Sequence, residues 1–239
     1  MMPLIEAKGL TKGFVNGGEK LSVLDGADLS IGERETLGLV GESGCGKSTL
    51  ARVIARLVEP DGGELLYRGR DITHIKGKEL RGYYKKVQMV FQNPASSFDP
   101  RRTIGYSVAE SLLAAGADES ETKRRTAEML ALCGLSPEIA ARYPHQVSGG
   151  QAQRAQIARA LISEPELLIC DEATSSLDAI VQKRVIVLLR AMREKRPLGI
   201  LFICHDAELV REFCTRVLIM ENGRIAESGK ADVLERKGQ

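Results

Sequence analysis

Four short apolar runs stand out from an otherwise mixed chain: Leu37–Val40, Leu167–Cys170, Leu198–Cys204 and Val217–Met220. Each is of strand length and flanked by polar residues, glycine or proline, so each predicts a short buried strand. Helical spacing between and after them predicts helices from Lys47 to about Leu57, Ala179 to Glu194 and Ala207 to Cys214. Residues 4 to 36 alternate loosely between apolar and polar. Breaks at Gly13, Gly17-Gly18 and Gly26 make this stretch read as short strands joined by turns. Pro60-Asp61-Gly62-Gly63 is a turn, with strands expected at Glu64–Arg68 and Val87–Phe91. From Pro94 to Leu161 the pattern is mostly helical. Ala127, Leu130 and Ala131 mark a helix over Thr122–Cys133, another runs from Gln151 to about Ile162, and Pro137 and Pro144 punctuate the region. Asn222-Gly223 is a hairpin turn, with Arg224–Ala226 returning and a short helix at Ala231–Arg236. Strand and helix alternate at both ends with a helical insertion between them. The fold class is therefore α/β: a core with a parallel sheet and an inserted helical lobe.

Composition narrows the function. The 239 residues can build one large domain or two small lobes around a proper core. A net charge of +2 and the absence of Trp give no large basic face and no base-stacking platform, so nucleic acid is not an expected partner. No apolar stretch approaches the roughly 20 residues of a membrane span. The N-terminus lacks the basic start and apolar stretch of a signal peptide, and a cytosolic protein is expected. The five cysteines are scattered, with no Cys-x-x-Cys, so neither a disulfide framework nor a zinc site is suggested. Cys204 and His205 are adjacent in a predicted strand and would point to opposite faces, which disfavours joint metal binding.

The chemistry begins at Gly41-Glu42-Ser43-Gly44-Cys45-Gly46-Lys47-Ser48, which fits G-x-x-x-x-G-K-[ST] with a strand before it and a helix after it. Successive backbone N–H groups there form a nest for phosphates. Lys47 would reach the β- and γ-phosphates of a nucleotide, Ser48 would hold Mg²⁺ through its hydroxyl, and Thr49 would contact the α-phosphate. The run Leu167–Cys170 delivers Asp171-Glu172 at its carboxyl end, where open α/β sheets place their chemistry. Asp171 fits the residue that steadies Mg²⁺. Glu172 is the candidate general base that orients and polarises the attacking water. Ser148-Gly149-Gly150-Gln151 has two readings. The glycines let the backbone approach a phosphate, with the Ser148 hydroxyl and the positive end of the following helix helping to hold it. The same residues could simply form a glycine-rich turn that caps the helix with Ser148.

In this order the motifs resemble those of ABC-type ATPases, over almost the whole chain, and Val147-Ser148-Gly149-Gly150-Gln151 resembles their signature. The resemblance implies a P-loop NTPase, RecA-like core as a single domain. Residues 1–93 and 162–239 would form an N-terminal antiparallel β-subdomain plus the core, and residues 94–161 an inserted helical subdomain carrying the signature. It further implies that Phe14 stacks on adenine with Val23 beside it, and that Gln92 links Mg²⁺ and water to the transport partner. Ser176-Leu177-Asp178 matches the D-loop at the dimer interface, and His205 the switch histidine at the γ-phosphate. Val147 stands where Leu is usual and Ala173 where Pro is commoner, and neither change removes a reacting group.

ATP and Mg²⁺ are the implied ligands. The implied partners are a second ATPase subunit, identical or a sibling, and two integral membrane permease subunits, with an extracytoplasmic substrate-binding protein acting indirectly. The place is the cytoplasmic face of the membrane. Residues Phe91–Arg101, Arg142–Gln146 and Asp171-Glu172-Ala173 resemble the peptide and nickel importer subfamily. The Asp-Glu-Ala sequence and the short end after Ser228-Gly229 tilt the expectation toward nickel or metal-chelate import. Dipeptide or oligopeptide import is the alternative, and a non-transport ABC ATPase the alternative of a different class. The histidines, His74, His145 and His205, fall in no ligand spacing, so a nickel cargo would not touch this subunit.

Overall fold

The computed structural model describes residues 2–17, 19–94, 97–174 and 177–230. Strand β1 (Ile5–Asn16) pairs antiparallel with β2 (Glu19–Ile31). Then come β3 (Thr36–Val40), α1 (Lys47–Ile54), β4 (Gly62–Tyr67), β5 (Arg70–Asp71), α2 (Gly77–Lys86) and β6 (Val87–Val90). Helices α3 (Ile104–Ala114), α4 (Glu119–Leu132) and α5 (Gly149–Ile162) follow, with two short 3₁₀ turns before α5. The chain then alternates through β7 (Leu167–Asp171), α6 (Ala179–Lys195), β8 (Gly199–Ile203), α7 (Ala207–Phe213), β9 (Arg216–Glu221) and β10 (Arg224–Lys230). One sheet is antiparallel, in the order β2-β1-β4-β5. The other has the order β10-β9-β3-β8-β7-β6 and is parallel except for β10 at its edge.

The parallel strands are covered on both faces, which is why their sequences are apolar without alternation. Along β7, Leu167 and Ile169 pack toward the antiparallel sheet and α1, while Leu168 and Cys170 pack toward α6 and the helices of residues 104–162. In β8, Leu201 and Ile203 face the first core, and Ile200 and Phe202 the second. The sheet therefore divides the interior into two cores, as an α/β layer structure requires.

The α/β reading holds, and several local expectations change. Residues 4 to 36 are not short strands. Gly13 and Gly26 lie inside β1 and β2, and the β1–β2 register shifts beside Gly13 and around Gly9 instead of ending. A glycine in a strand more readily makes a bulge than a break. Helix α2 was not expected, because Leu80, Tyr83 and Tyr84 are its only large apolar residues. It is anchored by its tyrosines, Tyr83 donating to the Ile54 carbonyl at 2.7 Å and Tyr84 to that of Arg56 at 3.0 Å. The helix expected from Thr122 starts at Glu119, because Asp118 caps it by accepting from the amides of Ser120 and Glu121. The helix expected from Gln151 takes both glycines into its first turn. The helix expected at Ala231–Arg236 lies outside the described residues.

The two sheets are stapled at the end opposite the site by Glu166, just before β7. Its carboxylate accepts from Tyr67 Oη at 2.7 Å and Arg68 Nε at 3.0 Å, and pairs with Lys86 Nζ at 2.7 Å. Burial pushes the Glu166 carboxyl upward, but the bonds from Lys86, Tyr67 and Arg68 outweigh it and hold its pKa at about 2. Because the folded value lies below the unfolded one, this stabilisation is complete above the ordinary value of 4.5 and is lost as pH falls through about 2. Glu166→Gln is expected to lower unfolding free energy by about 1.5–3 kcal/mol at neutral pH. Denaturant midpoints measured from pH 7 downward should show the gap to the unaltered protein closing below pH 4.5. A gap that stays constant through that range would refute the assignment.

Candidate functional site

The site forms at the edge of the parallel sheet where the strands end. β3 lies between β9 and β8, and its carboxyl end runs into Gly41–Ser48 ahead of α1. Two positions demand glycine. A side-chain carbon at Gly41 would sit 2.2 Å from the Met220 carbonyl oxygen. At Gly46, with φ 110°, it would sit 2.7 Å from that of Val23. The loop is thus wedged between the β9–β10 hairpin and β2. Gly223 N–H donates to the Cys45 carbonyl at 3.0 Å, and the Gly223 carbonyl accepts from Asp25 N–H at 3.0 Å. Asn222 and Gly223 have φ of 48° and 78°, the two left-handed residues that a type I′ turn needs. Lys47 folds over the loop, its amine donating to the carbonyls of Gly41 at 2.8 Å and Glu42 at 2.7 Å, with Cys45 Sγ at 3.7 Å. Thr49 is half-buried in the first turn of α1. A cleft of about 800 Å³ opens beside the loop, walled by Val23, Glu42, Ser43, Gly44, Met220 and Asn222 among others.

β7 brings in the acidic pair. Asp171 is buried and accepts from the Ser48 hydroxyl at 2.9 Å. Burial raises its pKa above the usual carboxylate value, against the hydrogen bond from Ser48 and the charges of Arg52 and Lys47. Glu172 has φ 50°, a left-handed backbone that glutamate rarely adopts. Its amide donates to the Ile203 carbonyl at 3.1 Å, tying the ends of β7 and β8 together. Gln92, two residues beyond β6, donates from Nε2 to Glu172 Oε2 at 2.6 Å. His205 is exposed two residues beyond β8, on the same edge. Cys204 is buried and His205 exposed, so the two do diverge, although both lie past the strand end and not within it.

The remaining expected residues lie apart from this edge or reach it indirectly. Val23 lines the cleft, whereas Phe14 is paired across the strands with Leu21 and reaches the cleft only through that neighbour. Ser148-Gly149-Gly150-Gln151 starts α5, and a capping box closes on itself there. Ser148 Oγ accepts from Gln151 N–H at 3.2 Å, and Gln151 Oε1 accepts from Ser148 N–H at 2.9 Å. None of the four residues lines the cleft. Asp178 caps α6, accepting from the amides of Ile180 and Val181. A side-chain carbon at Gly150 would meet Leu177 at 3.6 Å, so this segment adjoins the start of α5. Ser176 lies outside the described residues.

Comparison with known proteins places this arrangement. The ABC transporter family profile matches residues 24–175. The nickel import ATP-binding protein NikE of Pseudomonas putida is 44% identical over 208 residues, spanning 87% of this chain and 76% of its own. The chain belongs to the ABC transporter family. The oligopeptide transport ATP-binding protein OppF of Escherichia coli is also 44% identical, over 214 residues, and the match spans 89% of this chain and 64% of that one. Among solved structures, the dimeric bacterial ABC transporter cassette MJ0796 superposes with a TM-score of 0.90 at 29% identity, covering 95% of this chain and 98% of that one. The same cassette in a post-hydrolysis state bound to ADP and Pi gives 0.89 at 28% identity, with the same coverage. As a member of this family the chain is a transport-coupled ATPase, built on the family's nucleotide-binding cassette.

Two parts of this candidate site were not placed by any motif in the sequence. One is the Met220–Gly223 hairpin. Its Asn-Gly turn was legible, but its place against a loop almost 180 residues earlier was not. The other is a polar face of α5, where Gln153, Gln156 and Arg159 reach the segment beyond β6. Two glutamines three apart on an Ala- and Ile-rich helix are the signal that could have found it. Gly223→Ala would bring a side-chain carbon within 2.6 Å of the Val23 carbonyl at a left-handed φ. It should lower stability by about 1–3 kcal/mol and weaken ATP-analogue binding several-fold. Thermal unfolding and a fluorescent-nucleotide titration test this, and unchanged nucleotide affinity would show that the hairpin does not shape the loop.

Proposed function

We propose that this chain is the ATP-hydrolysing subunit of an ABC importer and acts as one of a head-to-tail pair. The observation that carries the reading is the 2.9 Å bond between Ser48 and Asp171 beneath Lys47, with Glu172 next in the chain and held by Gln92. In this reading Gly41–Gly46 cradle the phosphates with backbone amides, Thr49 assists, and the Lys47 amine passes from loop carbonyls to the terminal phosphates. Ser48, Asp171 and Gln92 suit magnesium, which prefers hard oxygen donors and only one or two carboxylates alongside phosphate. When bound there, magnesium would shield the negative charge of the phosphate oxygens. Glu172 orients and polarises water at the γ-phosphate, and His205 contacts that phosphate. Val23 and Phe14 hold the base.

The self-capped signature, which does not line its own cleft, suits use on the ATP of the opposite subunit, with Asp178 at the same interface. Residues 94–161 then act as the lobe that presents it. The membrane partners are two permease subunits on the cytoplasmic side. Their contact surface is a cleft of about 370 Å³ between core and lobe, walled by Leu57, Tyr84, Met89, Phe91 and Arg159 and adjacent to Gln92. No described helix is long and apolar enough to cross a membrane, which fits a peripheral subunit. The cargo is a nickel chelate or an oligopeptide, selected by a separate binding protein. Equal identity to a nickel and an oligopeptide relative supports both cargoes alike.

Lys47→Ala and Glu172→Gln are each expected to lower Mg-ATP turnover roughly 100-fold or more. Unchanged turnover in both would sink the reading. Ser148→Arg should leave ATP binding to the isolated subunit intact while stopping turnover of the assembled complex. Loss of nucleotide binding by the isolated subunit would count against use of the signature in trans. For the cargo, the complex with its co-purifying binding protein is assayed for ATP turnover with nickel chelates and with oligopeptides. Stimulation by one and not the other assigns it.

A further inference from the structure

Residue Gln92 touches Glu172, but what holds Gln92 lies in the other lobe. Gln156 is buried on α5, two turns beyond the signature. With its amide oriented so that both ends are satisfied, it donates to the Phe91 carbonyl at 3.0 Å and accepts from the Phe91 amide at 3.1 Å. It also accepts from the Ser97 hydroxyl at 2.8 Å. One turn on, Arg159 Nη1 donates to the Ser97 carbonyl at 2.6 Å. One turn back, Gln153 is fully buried, its Nε2 3.4 Å from the Phe91 carbonyl, and its Oε1 has no protein partner. Both backbone hydrogen-bonding groups of the residue preceding Gln92 are thus gripped by a single side chain. A buried polar cluster with an oxygen left over is costly, and apolar side chains would fill the same space more cheaply.

We propose that Gln156 is a positioning residue for ATP hydrolysis. It fixes Phe91 to the signature helix, so that the engagement of Ser148-Gly149-Gly150-Gln151 with the opposite subunit is transmitted to Gln92 and from there to Glu172. The physical link is continuous. The capping box makes the first turn of α5 rigid, the helix carries the displacement, Gln156 passes it to the Phe91 backbone, and Gln92 delivers it at 2.6 Å to the Glu172 carboxylate. Gln156 itself touches no reacting atom. This rests on the reading that Glu172 and Gln92 serve hydrolysis and that the signature acts in trans.

The test is a double-mutant cycle on the turnover of the assembled complex, using Gln156→Met, Gln92→Ala and the pair. Gln156→Met alone should lower the maximal rate roughly tenfold, a change of about 1.4 kcal/mol, and leave ATP affinity of the isolated subunit within about two-fold. In the Gln92→Ala background, Gln156→Met should have almost no further effect, because its influence passes through Gln92. Equal effects in both backgrounds would mean that Gln156 merely supports the fold, and would overturn the proposal, as would turnover of Gln156→Met within two-fold of the unaltered protein. Should Gln156→Met not fold, Ser97→Ala removes one of the same bonds from a milder position and goes through the same cycle. The proposal then requires a smaller loss that likewise vanishes with Gln92→Ala. If Glu172→Gln retains turnover, the reading of the site is wrong and the proposal fails with it. If Glu172→Gln is inactive but the cycle is additive, only the role of Gln156 is wrong.

Discussion

Parallel strands deliver all their carboxyl ends to one edge of a sheet, and the functional architecture here follows from that constraint. The phosphate loop leaves β3, Gln92 follows β6, Asp171 ends β7 with Glu172 next, and His205 follows β8. These residues are separated by as many as 164 positions in sequence, yet no special bending is needed to assemble them. The cost appears in the interior. A parallel sheet needs cover on both faces, so the chain supplies an antiparallel sheet with α1 on one side and α6 with the helical lobe on the other. The lobe that covers the second face is also the one that carries the signature, so packing and chemistry share one element.

What could be read from the sequence follows the range of the forces involved. Strands buried on both faces announce themselves as unbroken apolar runs, and glycine loops announce themselves because few other residues tolerate their φ. The phosphate loop and the acidic pair were legible for this reason. The long β1 and β2 were not, because bulged glycines resemble breaks until a partner strand is seen. Helix α2 was hidden because it is anchored by two tyrosine hydroxyls reaching the carbonyls of Ile54, at the end of α1, and Arg56, just beyond it, not by an apolar stripe. In the signature, the capping reading of Ser148 is the one that the fold realises. The capping box is present, and the turn it closes is exposed.

The site also concentrates features that stability alone would discard. Glu172 adopts a left-handed backbone, Asp171 is a carboxylate whose ionisation burial opposes, and Gln153 keeps an oxygen without a protein partner. At the opposite end of the sheet the Glu166 cluster is fully matched, three donors meeting one carboxylate. The contrast is between a scaffold end whose polar groups are well satisfied and a candidate site where they are less so, the pattern that functional sites tend to show.

The bond between Gly223 and Cys45 has a consequence for biosynthesis. The phosphate loop is encoded early but braced late. Its strand, β3, lies between β8 and β9, and the hairpin that seats Cys45 comes almost 180 residues afterwards. At about 5–20 residues per second, a nascent chain carries that loop for roughly 10–35 s before the elements that shape it have been made. The seat of the loop is therefore complete only once β9 and β10, made long after it, have docked against it.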